Sequence, residues 1–181
     1  MKKSFVFSGS GGQGIMSAGI MLAQAAAEIG KSVTYLPEYG PEQRGGSAKC
    51  TVIVDDTEII SPLIRQCDNL IVLNEQAYKK FIGQLKPGGL LIANANRVTS
   101  AIERTDIRVI SLAVDDLAAE LGNTKVANII MLGALAGATG ILTPAELDES
   151  IRRKFASKKP AVVEMNLKAL EKGLDAAKAV Q

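Results

Sequence analysis

Hydrophobic positions recur with two different periods along the 181 residues, and each change of period marks an element. The apolar run Phe5-Val6-Phe7 stops at a glycine cluster. Ile15, Ala18, Gly19, Leu22, Ala25, Ala26 and Ile29 then recur at helical spacing up to Gly30. This predicts a strand, a tight turn and a helix ended by Gly30, because glycine readily takes the left-handed conformation of a helix C-terminus. Residues 32–36 are β-branched and aromatic and predict a second strand, so 5–36 reads as a βαβ unit with parallel strands. Residues 48–54 and 58–60 flank the turn-like Asp55-Asp56-Thr57 and are expected to form a β-hairpin. Further strands are expected over 69–73, 90–93 and 108–112, with a helix over 75–85 and a turn at Lys86-Pro87-Gly88-Gly89. Beyond residue 112 the period is helical: 115–121, 126–139, 144–155 behind an N-cap at Thr143, and 161–179. The order predicts a single α/β domain over 1–181, a Rossmann-like open, largely parallel sheet with a β-hairpin addition and C-terminal helices.

Composition restricts the chemistry more than the fold. A hydrophobic content of 47% supports one core, and a net charge of +2 without a long cationic run gives no general attraction to nucleic acid. Met1-Lys2-Lys3-Ser4 has the charge of a secretory n-region, but only three apolar residues follow before glycine. The longest apolar stretch, 127–142, is broken by Asn128, Gly133, Gly137, Thr139 and Gly140 and is short for a membrane span. A cytoplasmic protein with no membrane association is expected. There is no histidine, which excludes a His-based triad, a His-ligated metal and an imidazole base. Cys50 and Cys67 are too few and too far apart for an iron–sulfur cluster or a four-cysteine zinc site, and Cys50 alternates with Val52 and Val54 as a buried thiol would. No catalytic residue and no metal site are assigned to the chain.

Two segments carry candidate binding chemistry. Gly9, Ser10, Gly11, Gly12, Gln13 and Gly14 form a G-x-G-x-x-G turn between strand and helix. Missing Cβ atoms let a ligand approach the backbone, and helix N-terminal amides favour an anion such as phosphate or pyrophosphate. The alternative is a glycine turn that serves close packing alone. The second segment, Pro37 to Gly46, has two prolines and three glycines and leaves the carboxyl end of the second strand, at the sheet edge where open α/β folds bind ligands. Within it Arg44 offers a planar fork for a carboxylate or phosphate, Glu42 would orient Arg44, and Gly45 and Gly46 would form the adjoining wall. The alternative is a solvated surface turn. A dinucleotide enzyme would need an acid at the end of the second strand, and Glu38 is the candidate. Asn128 reads as an amide bonding a neighbouring turn, Asp115 and Asp116 as first-turn acids, and the basic cluster Arg152 to Lys159 as a solvated helix end.

Gly9-Ser10-Gly11-Gly12-Gln13-Gly14 before a helix and Tyr39-Gly40-Pro41-Glu42-Gln43-Arg44-Gly45-Gly46 before a hairpin strand together resemble the gamma subunit of the 2-oxoacid:ferredoxin oxidoreductases. The likeness continues through Ser61-Pro62, Asp68-Asn69-Leu70 and Lys86-Pro87-Gly88-Gly89. It implies an enzyme that converts a 2-oxoacid, CoA and oxidised ferredoxin to acyl-CoA, carbon dioxide and reduced ferredoxin. The Tyr-Gly-Pro-Glu-x-Arg-Gly-Gly form looks closest to the 2-oxoglutarate type. The resemblance further implies that thiamine diphosphate, magnesium and iron–sulfur clusters sit in partner subunits, that ferredoxin meets the assembly as a whole, and that this chain helps to bind CoA. An isolated chain could then self-associate as a homodimer through surface that partners cover. Two other readings stay open: a free-standing NAD(P)-binding Rossmann protein and a purely structural assembly subunit.

Overall fold

In the computed structural model of the chain, residues 1–40 and 46–180 are described. Six strands, β1 (Lys3–Ser10), β2 (Ser32–Tyr39), β3 (Ser47–Asp55), β4 (Cys67–Val72), β5 (Leu85–Asn94) and β6 (Arg108–Leu112), form one sheet in the order β2-β3-β1-β4-β5-β6. The six helices are α1 (Ile15–Glu28), α2 (Glu75–Phe81), α3 (Val114–Glu120), α4 (Ala127–Thr139), α5 (Pro144–Lys154) and α6 (Pro160–Ala179). The pairs β1/β4, β4/β5 and β5/β6 are parallel, and β3 is antiparallel to both β1 and β2. The fold is the expected α/β class, a largely parallel sheet with C-terminal helices.

Three local expectations are corrected. β1 and β2 run in the same direction, but β3 lies between them. The hairpin is β2/β3, joined through the second glycine-rich loop, while residues 58–60 form no strand. β3 is paired along both sides, with Val54 opposite Lys3 on one and Val33 on the other, so a returning strand has no edge to join. Lys86-Pro87-Gly88-Gly89 lies within β5, where the register against β4 shifts between Cys67 and Asn69. A bulge there absorbs the left-handed Gly88 (φ 73°) without ending the strand.

Alternation in the strands divides the core into two layers. Phe5, Phe7, Ile71, Leu90 and Ile92 face α1 and the C-terminal helices, whereas Val6, Leu70, Val72, Leu91 and Ala93 face α2. α1 ends where Gly30 takes φ 80°, and the amides of Gly30 and Lys31 donate to the carbonyls of Ala27 and Ala26, the paired bonds of a Schellman stop. α5 starts on a capping box between Thr143 and Glu146. α4 is buried from Asn128 to Ala136 because α6 covers it at backbone contact. A Cβ on Gly133 would lie 2.2 Å from the Leu170 carbonyl oxygen, and one on Gly173 would lie 2.0 Å from that of Ile130. This fixed α4 in turn supports the glycine turn through Asn128.

Candidate functional site

α1, which follows β1, and α2, which follows β4, pack on opposite faces of the sheet. The carboxyl ends of β1 and β4 therefore diverge into the crevice where open α/β sheets hold ligands. β1 runs on through Gly9 and Ser10, and the turn Gly11 to Gly14 bridges to α1. Gly12 and Gly14 have φ of 92° and 74°, in the left-handed region that favours glycine. Their surroundings differ. A Cβ on Gly14 would meet the Asn128 side chain at 2.6 Å, but one on Gly12 would meet nothing within 4 Å. Gly14 is thus required by packing, while Gly12 leaves open space above an exposed backbone.

Much of the turn's polarity is used internally. The Gln13 Oε1 accepts from the Ser10 amide at 2.7 Å and from Asn74 Nδ2 at 3.0 Å, and Asn74 Nδ2 also donates to the Ser10 hydroxyl at 2.8 Å. Gln13 therefore holds the shape of the turn. Gly9 must lack a side chain because a Cβ would lie 2.6 Å from that same Oε1. The Gly11 amide donates to the Gly46 carbonyl at 3.0 Å, which joins the two glycine-rich segments, and Ser10 stands opposite Ser47 in the sheet. From the other side Asn128 Nδ2 donates to the Gly14 carbonyl at 3.1 Å, the structural role expected of it. No side chain caps α1, whose N-cap is Gly14 itself. The first amides of the helix and the exposed backbone at Gly12 are what the turn offers to an anion.

The second segment reaches the same edge. Tyr39 ends β2 with 72% of its surface exposed, and the Gly40 amide donates to the Ser47 carbonyl at 2.7 Å. Of the residues singled out there, Gly46 adjoins the glycine turn, whereas Glu42, Arg44 and Gly45 lie outside the described residues. Glu38, the candidate ribose acid, is ion-paired with Lys49 at 2.6 Å. It sits on a strand separated from β1 by β3, two strand spacings or about 10 Å away. A Rossmann dinucleotide site needs that acid on the neighbouring strand.

Asn74 and Lys80 carry roles that the sequence pattern does not single out. Asn74 is the N-cap of α2, accepting from the Ala77 amide at 2.9 Å while its Nδ2 holds Ser10 and Gln13. Its signal is local, an asparagine directly before an acidic first turn. Lys80 and Lys49 both lie over the Phe81 ring, 5.4 Å from its centroid, and the Lys80 ammonium is 3.4 Å from the Ser47 hydroxyl. This places positive charge at the rim of the crevice, which sequence spacing does not reveal.

Among the described residues, none in the crevice is poised for proton transfer. The Ser100 hydroxyl and the Lys79 ammonium hold the Glu75 carboxyl down to about 2, so it stays an acceptor that ties the segment after β5 to α2. Cys50 and Cys67 are fully buried, and burial pushes both thiols up to about 12. Lying on β3 and β4 inside the core, they do not suit an iron–sulfur cluster, which needs accessible thiolates. Asp115 and Asp116 lie in the first turn of α3 as expected, with Asp115 accepting from Asn94 at 2.9 Å. The arrangement is equipped to bind an anionic ligand.

The chain matches the family model described as pyruvate ferredoxin/flavodoxin oxidoreductase over residues 4–176. It is 35% identical over 181 residues to the 2-oxoglutarate synthase subunit KorC of Methanocaldococcus jannaschii, covering 98% of this chain and 95% of that one. It is equally 35% identical over 169 residues to the ketoisovalerate oxidoreductase subunit VorA of Methanothermobacter marburgensis, with 92% of this chain but only 35% of the relative covered, so it spans about a third of that protein. Among solved structures, the keto/oxoacid ferredoxin oxidoreductase gamma subunit from Geobacter sulfurreducens superposes with a TM-score of 0.83 and 33% identity over 98% of this chain and 99% of that one. The 2-oxoglutarate:ferredoxin oxidoreductase from Magnetococcus marinus, with 2-oxoglutarate, coenzyme A and succinyl-CoA bound, superposes with a TM-score of 0.93 and 26% identity, covering 99% of this chain and 32% of that one. The motifs, the mixed six-stranded sheet and these relatives agree, and the chain belongs to the pyruvate ferredoxin/flavodoxin oxidoreductase family, as a subunit of the gamma type.

Proposed function

We propose that the chain receives CoA in a 2-oxoglutarate:ferredoxin oxidoreductase, which turns 2-oxoglutarate, CoA and oxidised ferredoxin into succinyl-CoA, carbon dioxide and reduced ferredoxin. The observation that carries this reading is the joining of the two glycine-rich segments by the Gly11–Gly46 hydrogen bond at an uncapped helix start. CoA presents a pyrophosphate and a ribose phosphate. The open backbone at Gly12 and the first amides of α1 suit the pyrophosphate, and the guanidinium of Arg44 and the ammonium of Lys80 suit further negative charge. Bound CoA in the Magnetococcus structure supports the ligand, and the KorC likeness supports 2-oxoglutarate as the oxoacid. The iron–sulfur clusters belong to partner subunits, since the two thiols of this chain are buried, and thiamine diphosphate with magnesium belongs there too, since the chain has no Gly-Asp-Gly followed by asparagine to hold them. Its own contribution is to bind and orient the thiol-bearing co-substrate, not to move electrons. The paired Glu38 on a strand removed from β1 disfavours the NAD(P) reading.

Steady-state kinetics on the assembled complex test the proposal. Gly12→Val should raise the KM for CoA at least about tenfold, about 1.4 kcal/mol of binding, with the KM for the oxoacid unchanged. A wild-type KM for CoA in a fully assembled variant would overturn it, as would saturable NADH binding to the wild-type complex in place of CoA binding.

A further inference from the structure

Tyr39 is 72% exposed although it lies in a paired strand, because the helix that covers its face of the sheet starts short of it. Alternation along β2 puts Val33, Tyr35, Pro37 and Tyr39 on the α1 face, where Val33 and Tyr35 pack against the core. The Tyr35 hydroxyl meets the sulfur of Met16, in the first turn of α1, at 3.4 Å. Tyr39 lies four residues further along the strand, about 13 Å nearer the carboxyl edge. Cover ends in between, and Pro37 and Tyr39 are exposed where Tyr35 is half-buried. The backbone under the exposed ring is nevertheless fixed. Tyr39 pairs with Ala48, and the next rung is closed by the Gly40 amide, which donates to the Ser47 carbonyl at 2.7 Å. An aromatic side chain on a fixed backbone has only its own torsions to immobilise, so it offers a large contact area at low entropic cost.

The strand register ties this ring to the glycine turn. Ala48 stands opposite Tyr39 on one side and opposite Gly9 on the other, so Tyr39 and Gly9 occupy one row across the sheet, two strand spacings or about 10 Å apart. They share a face, since a Cβ on Gly9 would meet Ile15 at the start of α1. An exposed aromatic ring therefore flanks the uncapped start of α1, the place where the backbone is open to an anion. We infer that Tyr39 is the stacking platform for the adenine base of CoA, with the pyrophosphate at Gly12 and the first amides of α1. A ribose separates base from pyrophosphate in CoA, so a base on the ring leaves the phosphates to reach the turn along that row. A purine and a phenol ring stack face to face or offset whatever the hydrogen-bonding edge of the base does, which suits a platform that needs no partner for that edge. The inference rests on the proposed binding of CoA and adds to it a subsite for the nucleoside end.

The test is steady-state kinetics on the assembled complex, with CoA as the varied substrate and ADP, which carries the base and the pyrophosphate, as a competitive inhibitor. Tyr39→Ala should raise the KM for CoA and the inhibition constant of ADP by the same factor, at least about fivefold, with kcat unchanged. Tyr39→Phe should restore both constants, and Tyr39→Leu, apolar but without a ring, should not. Wild-type constants in Tyr39→Ala, beside a raised KM for CoA in Gly12→Val, would overturn the platform and leave the functional reading intact. Wild-type constants in both variants would overturn the two together. A raised KM for CoA with an unchanged constant for ADP, or a wild-type complex that ADP does not inhibit, would overturn the assignment of the base to this ring. Gel filtration that showed Tyr39→Ala failing to assemble would overturn it in favour of a contact with a partner subunit.

Discussion

The two edges of the sheet make opposite use of charge. At the amino ends of the parallel strands lies a cleft of about 470 Å³ lined by residues such as Lys3, Lys31, Asp56, Asp68, Lys86 and Arg108. Its carboxylates are largely committed. Asp68 accepts from the Ser4 amide at 2.8 Å, the Ser4 hydroxyl at 2.7 Å and the Lys86 ammonium at 2.7 Å, and Lys31 and the N-terminal amine converge on Asp56. The carboxyl edge carries instead an uncapped helix start and a backbone left open at Gly12. A hole whose charges neutralise one another stabilises the fold. An edge with unsatisfied donors is where a charged ligand gains binding energy.

A matched pair of glycines puts that comparison at greatest risk. Gly12 and Gly88 both have positive φ and open space where a Cβ would be, one at each edge. Valine at either position introduces similar strain, about 1–2 kcal/mol. In the assembled complex Gly12→Val should raise the KM for CoA at least about tenfold, while Gly88→Val should lower the melting temperature and leave that KM unchanged. Equal kinetic effects would erase the distinction between the edges. Lys80→Met tests the charge at the crevice rim. It should raise the KM for CoA about threefold to tenfold, more at low salt than at high, with little change in stability.

Asn74→Ala should remove both the cap of α2 and the tie to Ser10 and Gln13, lowering stability by about 1 kcal/mol in denaturant unfolding. Asn74→Asp keeps the acceptor for the Ala77 amide but loses the donor to Ser10 and Gln13, so most of that stability should return while the KM for CoA rises. At the amino edge, Asp68→Asn should cost about 1 kcal/mol at neutral pH, a modest amount because the Lys86 pair is partly exposed, and should leave CoA kinetics unchanged. Burial raises the Asp68 pKa, but the hydrogen bonds from Lys86 and Ser4 outweigh it and hold the carboxyl below its usual range. Its contribution is therefore present above the ordinary carboxylate pKa of about 3.9 and is lost as pH falls through the folded value. The variant should show a shallower loss of stability on acidification than the wild type in pH-dependent unfolding.

Elements whose causes are local could be read from the residues alone. Thr143 and Glu146 lie three residues apart, and Gly30 lies within a turn of the carbonyls it helps to satisfy, so the start of α5 and the end of α1 were legible from spacing alone. The G-x-G-x-x-G turn was legible for the same reason, as was the meeting of the two glycine-rich segments at one edge once both strands were read as running the same way. Strand order was decided only by tertiary structure. Alternation in residues 48–54 shows a strand with a buried face but does not say which strands lie beside it, and β3 found β1 and β2 on its two edges, leaving 58–60 outside the sheet. The same holds within the site. Whether Gln13 meets a ligand or Asn74, whether Asn128 reaches Gly14, and whether Lys80 stands beside Ser47 depend on chain segments 33 to 114 residues apart coming together. Hydrogen bonds and ion pairs between such segments are set by packing of the whole core, which no local pattern of residues encodes.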